Sequence, residues 1–212
     1  MSRHSTNTGE TVEETSTRAP VAPALHSPTP ASRRRAIGRG TFALRGIAVT
    51  ILWATSVIIG GILPAGELRW IWLVGHLAAL VVGLGAAVMI EYAGFLWTIG
   101  RGTLHEVCAT EERLAPLAWL GFGGMLLTGM FLSPDVSNPL TALKMIVVLA
   151  IGLNAVATAR LTVVLHGLPD DLPFRRAPWR LRRWSLATGL VSQLAGWSAV
   201  LLGTLNTASR GA

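Results

Sequence analysis

The side chains in this chain that could do chemistry are few, and several stand inside long apolar runs. His76 and Glu91 fall within WIWLVGHLAALVVGLGAAVMIEYAGFLW. Lys144, Asn154 and Arg160 fall within LTALKMIVVLAIGLNAVATARLTVVL, and Gln193 lies in a later run. An ionisable group in a run long enough to cross a bilayer is costly, which makes it a functional candidate. Read as helices, the two runs put His76 about 9 Å from Trp70 and Lys144 about 7–8 Å from Pro139, so both stand at one level. Met145 shares that level, and Met125 and Met130 bracket it. Imidazole and thioether suit Cu(I), and a lone imidazole with Met or Lys as sixth ligand suits haem. The competing reading is structural: Lys144 snorkels, His76 bonds a neighbouring helix and the methionines fill gaps. Glu91 and Arg160 lie toward the other ends of their runs, where a structural ion pair is expected, with a proton path as the sharper alternative.

The elements that must position these residues follow from composition. Of 212 residues, 51% are hydrophobic and only 14% charged, against about 25% charged in soluble domains, and the mean hydropathy is +0.51. Runs of roughly 18 or more apolar residues read as membrane spans. Five are expected: Leu44–Pro64, Trp70–Gly100, Pro116–Leu132, Leu140–Leu165 and Trp184–Leu205. The fold expected is therefore all-α, a polytopic bundle of five transmembrane helices over residues 44–205. Residues 1–36, rich in Ser, Thr, Pro and Arg, read as a disordered cytoplasmic tail because they cannot bury enough surface to offset their ordering entropy.

Orientation comes from the basic residues. Arg33, Arg34, Arg35, Arg39, Arg45, Arg101, Arg113, Arg175, Arg176, Arg180, Arg182 and Arg183 fall on one side by loop parity, and only Arg69 and Arg210 on the other. Basic loops stay in the cytoplasm, so the N-terminus is expected inside and the C-terminus outside. This clustering beside apolar runs accounts for the net charge of +7 and speaks against nucleic acid as a partner. Trp70, Trp72, Trp97, Trp179 and Trp184 fall at span ends, where indoles favour the interface. Between the last two runs, PDDLPFRRAPWRLRRW places Arg175, Arg176, Arg180, Arg182 and Arg183 where they can orient the chain and meet anionic headgroups, about 1 kcal/mol each.

Other signals point to packing. Gly75, Ala79 and Gly83, then Gly121, Gly124 and Thr128, then Gly189, Gln193, Gly196 and Gly203 mark close helix approach. The glycines form no phosphate-binding loop, and HExxH and GxSxG are absent. One cysteine, Cys108, excludes an intramolecular disulfide and reads as a reduced thiol between spans. His4, His26 and His105 read as solvated.

The order of features carries a resemblance. A histidine near the start of a span (GHLAALVVGLGAAV) is followed by a charged loop, a Gly-rich span and a span opening with lysine (ALKMIVVLAIGLNAVATARL). An Arg-rich approach to the last span (RLRRWSLATGLV) completes it. Over roughly residues 70–205 this resembles the helical core of CopD-type copper-resistance membrane proteins and the related HemJ-type protoporphyrinogen oxidases. The resemblance implies that His76 and Lys144 match the intramembrane His and Lys of those families, with haem or Cu(I) as cofactor. Read from the residues alone, the chain is expected to be an accessory, helix-packing membrane subunit with a membrane-protein partner; the alternative is a haem- or copper-binding protein using His76.

Overall fold

The computed structural model describes the backbone of residues 30–63 and 66–211 and the side chains of 40–63 and 66–204. Residues 1–29 of the expected tail lie outside the described residues. Five α-helices follow one another: α1 (Pro30–Ile62), α2 (Arg69–Thr98), α3 (Leu104–Met130), α4 (Pro139–Leu165) and α5 (Trp179–Gly211). A single 3-10 turn, Phe174–Arg176, precedes α5, and the described residues contain no strand. Helix α1 begins at Pro30, inside the segment expected to be tail. Ala31, the three arginines, Ala36 and Ile37 are mostly good helix formers, and extending an existing helix is far cheaper than nucleating one.

Four helical stretches are long and apolar enough to cross a membrane: Gly40–Ile62, Arg69–Thr98, Pro139–Leu165 and Trp179–Thr204. Helix α3 is not among them, so the expected count of five stands at four on length and composition. Its first ten residues carry Glu106, Glu111, Glu112 and Arg113, and the apolar remainder is diluted by Pro116 and four glycines. Its start also differs from the expected Pro116. Thr103 caps it, accepting the Glu106 N–H at 3.2 Å while Glu106 Oε2 accepts the Thr103 N–H at 2.9 Å. This capping box satisfies two otherwise orphaned donors and pulls the helix start well ahead of the apolar run.

Helices α2 and α3 form the closest pair. A Cβ on Gly121 would run into the backbone of Gly83 and stand 2.7 Å from the Ala79 carbonyl oxygen. Only glycine lets the two backbones approach so closely. Helices α4 and α5 form a second hairpin, tied where Asn154 Nδ2 donates to the Thr188 carbonyl at 3.0 Å. Helix α1 lies against α3 and α4. Trp53 Nε1 donates to the Met145 carbonyl at 2.9 Å, and Ser56 Oγ to the Leu126 carbonyl at 2.7 Å. Few residues are buried, and large apolar side chains such as Ile58, Val81, Leu120 and Leu194 face outward. That surface suits hydrocarbon, where helices satisfy backbone polar groups within the segment.

The best-buried part of the molecule lies at the arginine-rich end. Trp97, Leu104, Val107, Cys108, Leu161, Leu165, Phe174 and Ala177 form one cluster there. Trp97, expected in an interfacial belt, is 1% exposed. Its Nε1 donates to the Leu172 carbonyl at 2.9 Å, and its ring meets Phe174 edge-on at 5.0 Å. The Pro169–Trp184 connection therefore folds back as a cap over the helix ends.

Candidate functional site

At the end opposite the arginines, α2 and α3 bring His76 against Thr128. His76 Nδ1 lies 3.0 Å from Thr128 Oγ1, and that hydroxyl donates to the Gly124 carbonyl at 2.6 Å. With its own proton on the Gly124 carbonyl, the Thr128 oxygen has lone pairs to offer the His76 ring, and this contact ties α2 to α3. The ring covers Gly129, where a Cβ would stand 3.5 Å from His76 Cε1. Lys144 on α4 comes within electrostatic range of His76.

The expected donor set fares less well. Met125 meets His76 through its backbone, and the Met145 carbonyl is taken by Trp53. Met130 approaches Gly60 through its backbone. Among the described residues no three His, Cys, Asp or Glu side chains converge as a metal-holding group. A lone imidazole with an ammonium nearby opposes a bound cation. The residues shown here give either haem or copper one imidazole, that of His76.

Glu91 and Arg160 do not pair. The carboxylate of Glu91 is held by the Gln193 carboxamide and the Ser192 hydroxyl of α5. Arg160 instead stacks over the Trp184 ring, 5.6 Å from its centroid. Both reach α5, but Gln193 is nine residues beyond Trp184, a rise of about 13 Å. The expected pair places two residues on one level that the bundle holds on two. Gln193 Oε1 also accepts from Trp197 Nε1 at 3.1 Å, so Glu91, Gln193 and Trp197 form a polar chain that closes the bundle between α2 and α5.

A second constellation, at the arginine-rich end, was not expected. A groove of about 780 Å³ opens between α1, α3 and α4. Arg45 marks its α1 wall, Glu111 and Glu112 its α3 wall, and Thr162 and His166 its α4 wall. His166 Nε2 lies 2.8 Å from Glu112 Oε1, and Nδ1 lies 2.8 Å from the Thr162 carbonyl oxygen. Glu111 bonds the Thr162 hydroxyl. Burial pushes the Glu111 carboxyl above the usual carboxylate range, outweighing His166 and Thr162. The bond to the Thr162 carbonyl, followed by Glu112, lifts the His166 imidazole above its ordinary value. Cys108, one turn before Glu112, is buried, and desolvation raises its thiol to about 11, so it is an unreactive core residue.

No family model, curated protein or solved structure matches this chain.

The charged groove could have been found from the sequence by one signal, Thr103-x-x-Glu106, a capping-box pattern. Starting a helix there places Glu111 and Glu112 on α3 rather than in a loop. His166, four residues after Thr162 on α4, then faces them across the groove.

Proposed function

We propose that this chain is a five-span integral membrane protein, N-terminus cytoplasmic and C-terminus extracytoplasmic, that serves as an accessory subunit receiving a partner's transmembrane helix against α5. The four apolar helices agree with multi-pass insertion. Helix α3 is the fifth span in this reading, because it runs beside α2 from Gly121 at Gly83 to Thr128 at His76. A bilayer around α2 surrounds α3 as well. The twelve-to-two division of arginines supports the orientation, and Arg175, Arg176, Arg180, Arg182 and Arg183 are positioned to contact anionic headgroups in the same leaflet.

The observation that carries the subunit reading is Gln193. It lies about 13 Å beyond Trp184, near mid-bilayer, yet it is exposed on the outside of the bundle. Its carboxamide uses one donor toward Glu91 and one lone pair toward Trp197, half its capacity. Gly189, one turn away on the same face, would carry a Cβ with nothing within 4 Å. A polar side chain beside a small-residue notch is what a second transmembrane helix packs on. Gly189→Leu fills the notch with a lipid-compatible side chain. The variant should lose a co-purifying membrane partner while unfolding at the wild-type temperature. A partner retained in full by Gly189→Leu, or a wild-type protein that purifies from its native membrane as a lone chain, would sink the reading.

The second reading, haem or copper on His76, has one observation in its favour: Thr128 orients the ring as outer-shell partners orient metal-bound histidines. The Lys144 ammonium weighs against it, and in the first reading His76 serves as a tether between α2 and α3.

A further inference from the structure

The groove at the arginine-rich end has an order along its length that the packing of three helices does not require. On α1 the charged Arg45 precedes Ala48 and Val49 into the bundle, and on α3 Glu111 and Glu112 precede Pro116 and Trp119. On α4, which runs the other way, Ala159 and Val163 lead out to His166. All three walls therefore turn from charged to apolar at the same end. Arg45 stands five residues inside the apolar stretch Gly40–Ile62 of α1, and Glu111 and Glu112 stand four to five residues before Pro116, about 6–8 Å from the apolar part of α3. That is the depth of lipid headgroups, with the apolar walls beginning where acyl chains begin.

The charges also have a pattern. A guanidinium lines one wall and two carboxylates the facing one, with Glu112 also held at 2.8 Å by His166 Nε2 of the third wall, so the mouth presents both signs. A simple anion meets Glu111 and Glu112, and a simple cation meets Arg45. We propose that the groove binds a membrane phospholipid with a primary-amine headgroup, its ammonium at Glu111 and Glu112, its phosphate at Arg45 and its first methylenes against Val49, Trp119 and Val163. A primary ammonium donates hydrogen bonds to carboxylates, which a quaternary one cannot, and guanidinium is well matched to phosphate. Burial raises the Glu111 carboxyl above the usual carboxylate range, and an ammonium beside it favours its charged form. The volume of about 780 Å³ falls within the range of small-ligand sites. It accommodates a headgroup with the start of its chains while the remainder lies in the bilayer.

The test uses the full chain reconstituted in nanodiscs of equal parts phosphatidylethanolamine, phosphatidylcholine and phosphatidylglycerol. The protein is recovered in mild detergent, and the lipid it retains is quantified. Wild type should retain phosphatidylethanolamine several-fold over its share. Glu112→Gln and Arg45→Gln change exposed side chains and should each reduce that enrichment toward the bulk ratio, with the helical content unchanged. Val163→Trp leaves every charge in place and obstructs the apolar wall, and it should do the same. Enrichment of phosphatidylglycerol would mean that the arginines alone attract lipid, and equal retention of all three lipids would mean that the groove selects none. Either result overturns the proposal, as does a preference that survives all three substitutions. Soluble phosphoethanolamine in excess should fail to displace the lipid; complete displacement would assign the site to a free headgroup compound and overturn the lipid as its occupant. This outcome is independent of the α5 partner, because Gly189→Leu lies on another face and should leave the lipid preference intact.

Discussion

Gly121 and Gly123 stand two residues apart on α3 and make opposite forecasts for the same substitution. At Gly121 a new Cβ meets the Gly83 backbone and stands 2.7 Å from the Ala79 carbonyl oxygen; neither is a flexible side chain that can move aside. Helices α2 and α3 must separate, and forcing extra methyl volume into a packed contact costs about 1–3 kcal/mol. At Gly123 a Cβ meets nothing within 4 Å, so Gly123→Ala keeps only the helix-propensity gain, up to about 1 kcal/mol. Gly121→Ala has the same gain, so its net cost is roughly 0–2 kcal/mol and the two variants should differ by about 1–3 kcal/mol. For a chain of this size that separates their midpoints by about 2–12 °C. Thermal unfolding of the purified proteins in one detergent, followed by far-ultraviolet circular dichroism, measures the difference. Separation of α2 from α3 should also loosen His76 from Thr128, so Gly121→Ala should speed exchange of the His76 ring proton as seen by NMR. If Gly121→Ala unfolds at or above the temperature of Gly123→Ala, the close approach at Gly83 does not limit the packing of the bundle.

Three further outcomes follow from the site geometry. Glu111 and His166 both bind a proton more tightly folded than unfolded, so the contribution of each to stability is fully present at low pH. It should decline as pH rises from about 4.5 for Glu111 and from about 6.5 for His166, through their raised folded values; Glu111→Gln should flatten the first part, and an unchanged profile refutes that assignment. Because Glu91 meets Gln193 and Arg160 meets Trp184, the losses from Glu91→Gln and Arg160→Leu should add within about 0.5 kcal/mol. A coupling energy beyond that in a thermal or denaturant cycle restores the ion pair. A reporter fused after Ala212 should be active only as an extracytoplasmic fusion, and cytoplasmic activity there removes one span from the count.

The helices were legible because apolar runs are long: the expected starts at Trp70 and Leu140 fall one residue inside α2 and α4, whereas α5 begins at Trp179, five residues ahead of the expected Trp184, because the arginines there interrupt the apolar run but not the helix. Helix α3 was half legible for a physical reason. Its start is decided by the side chains of Thr103 and Glu106 closing a hydrogen-bonded box, whereas the search for apolar length begins only at Pro116. The depth arithmetic for His76 and Lys144 uses only the rise per residue of an assumed helix, and Lys144 comes within electrostatic range of His76. The same arithmetic could not reach Thr128, since no period in one helix tells which residue of another faces it.

Glu91 and Arg160 show where such reasoning stops. Each was placed at a sensible depth on its own helix, and opposite charge then suggested a partner. What decides the partner is α5, which lies beside both α2 and α4 and offers Gln193 to one and the Trp184 ring to the other, about 13 Å apart along its axis. A carboxylate and a guanidinium separated in that way are each stabilised locally, by amide hydrogen bonds and by a ring face, without the desolvation that a buried pair demands. The groove follows the same rule in reverse. Arg45, Glu111, Glu112 and His166 belong to three elements and share no spacing, yet the packing of α1 and α3 beside the C-terminus of α4 brings them to one groove. Charged side chains of this kind can remain hydrated at the mouth of such a groove while apolar neighbours line its deeper walls.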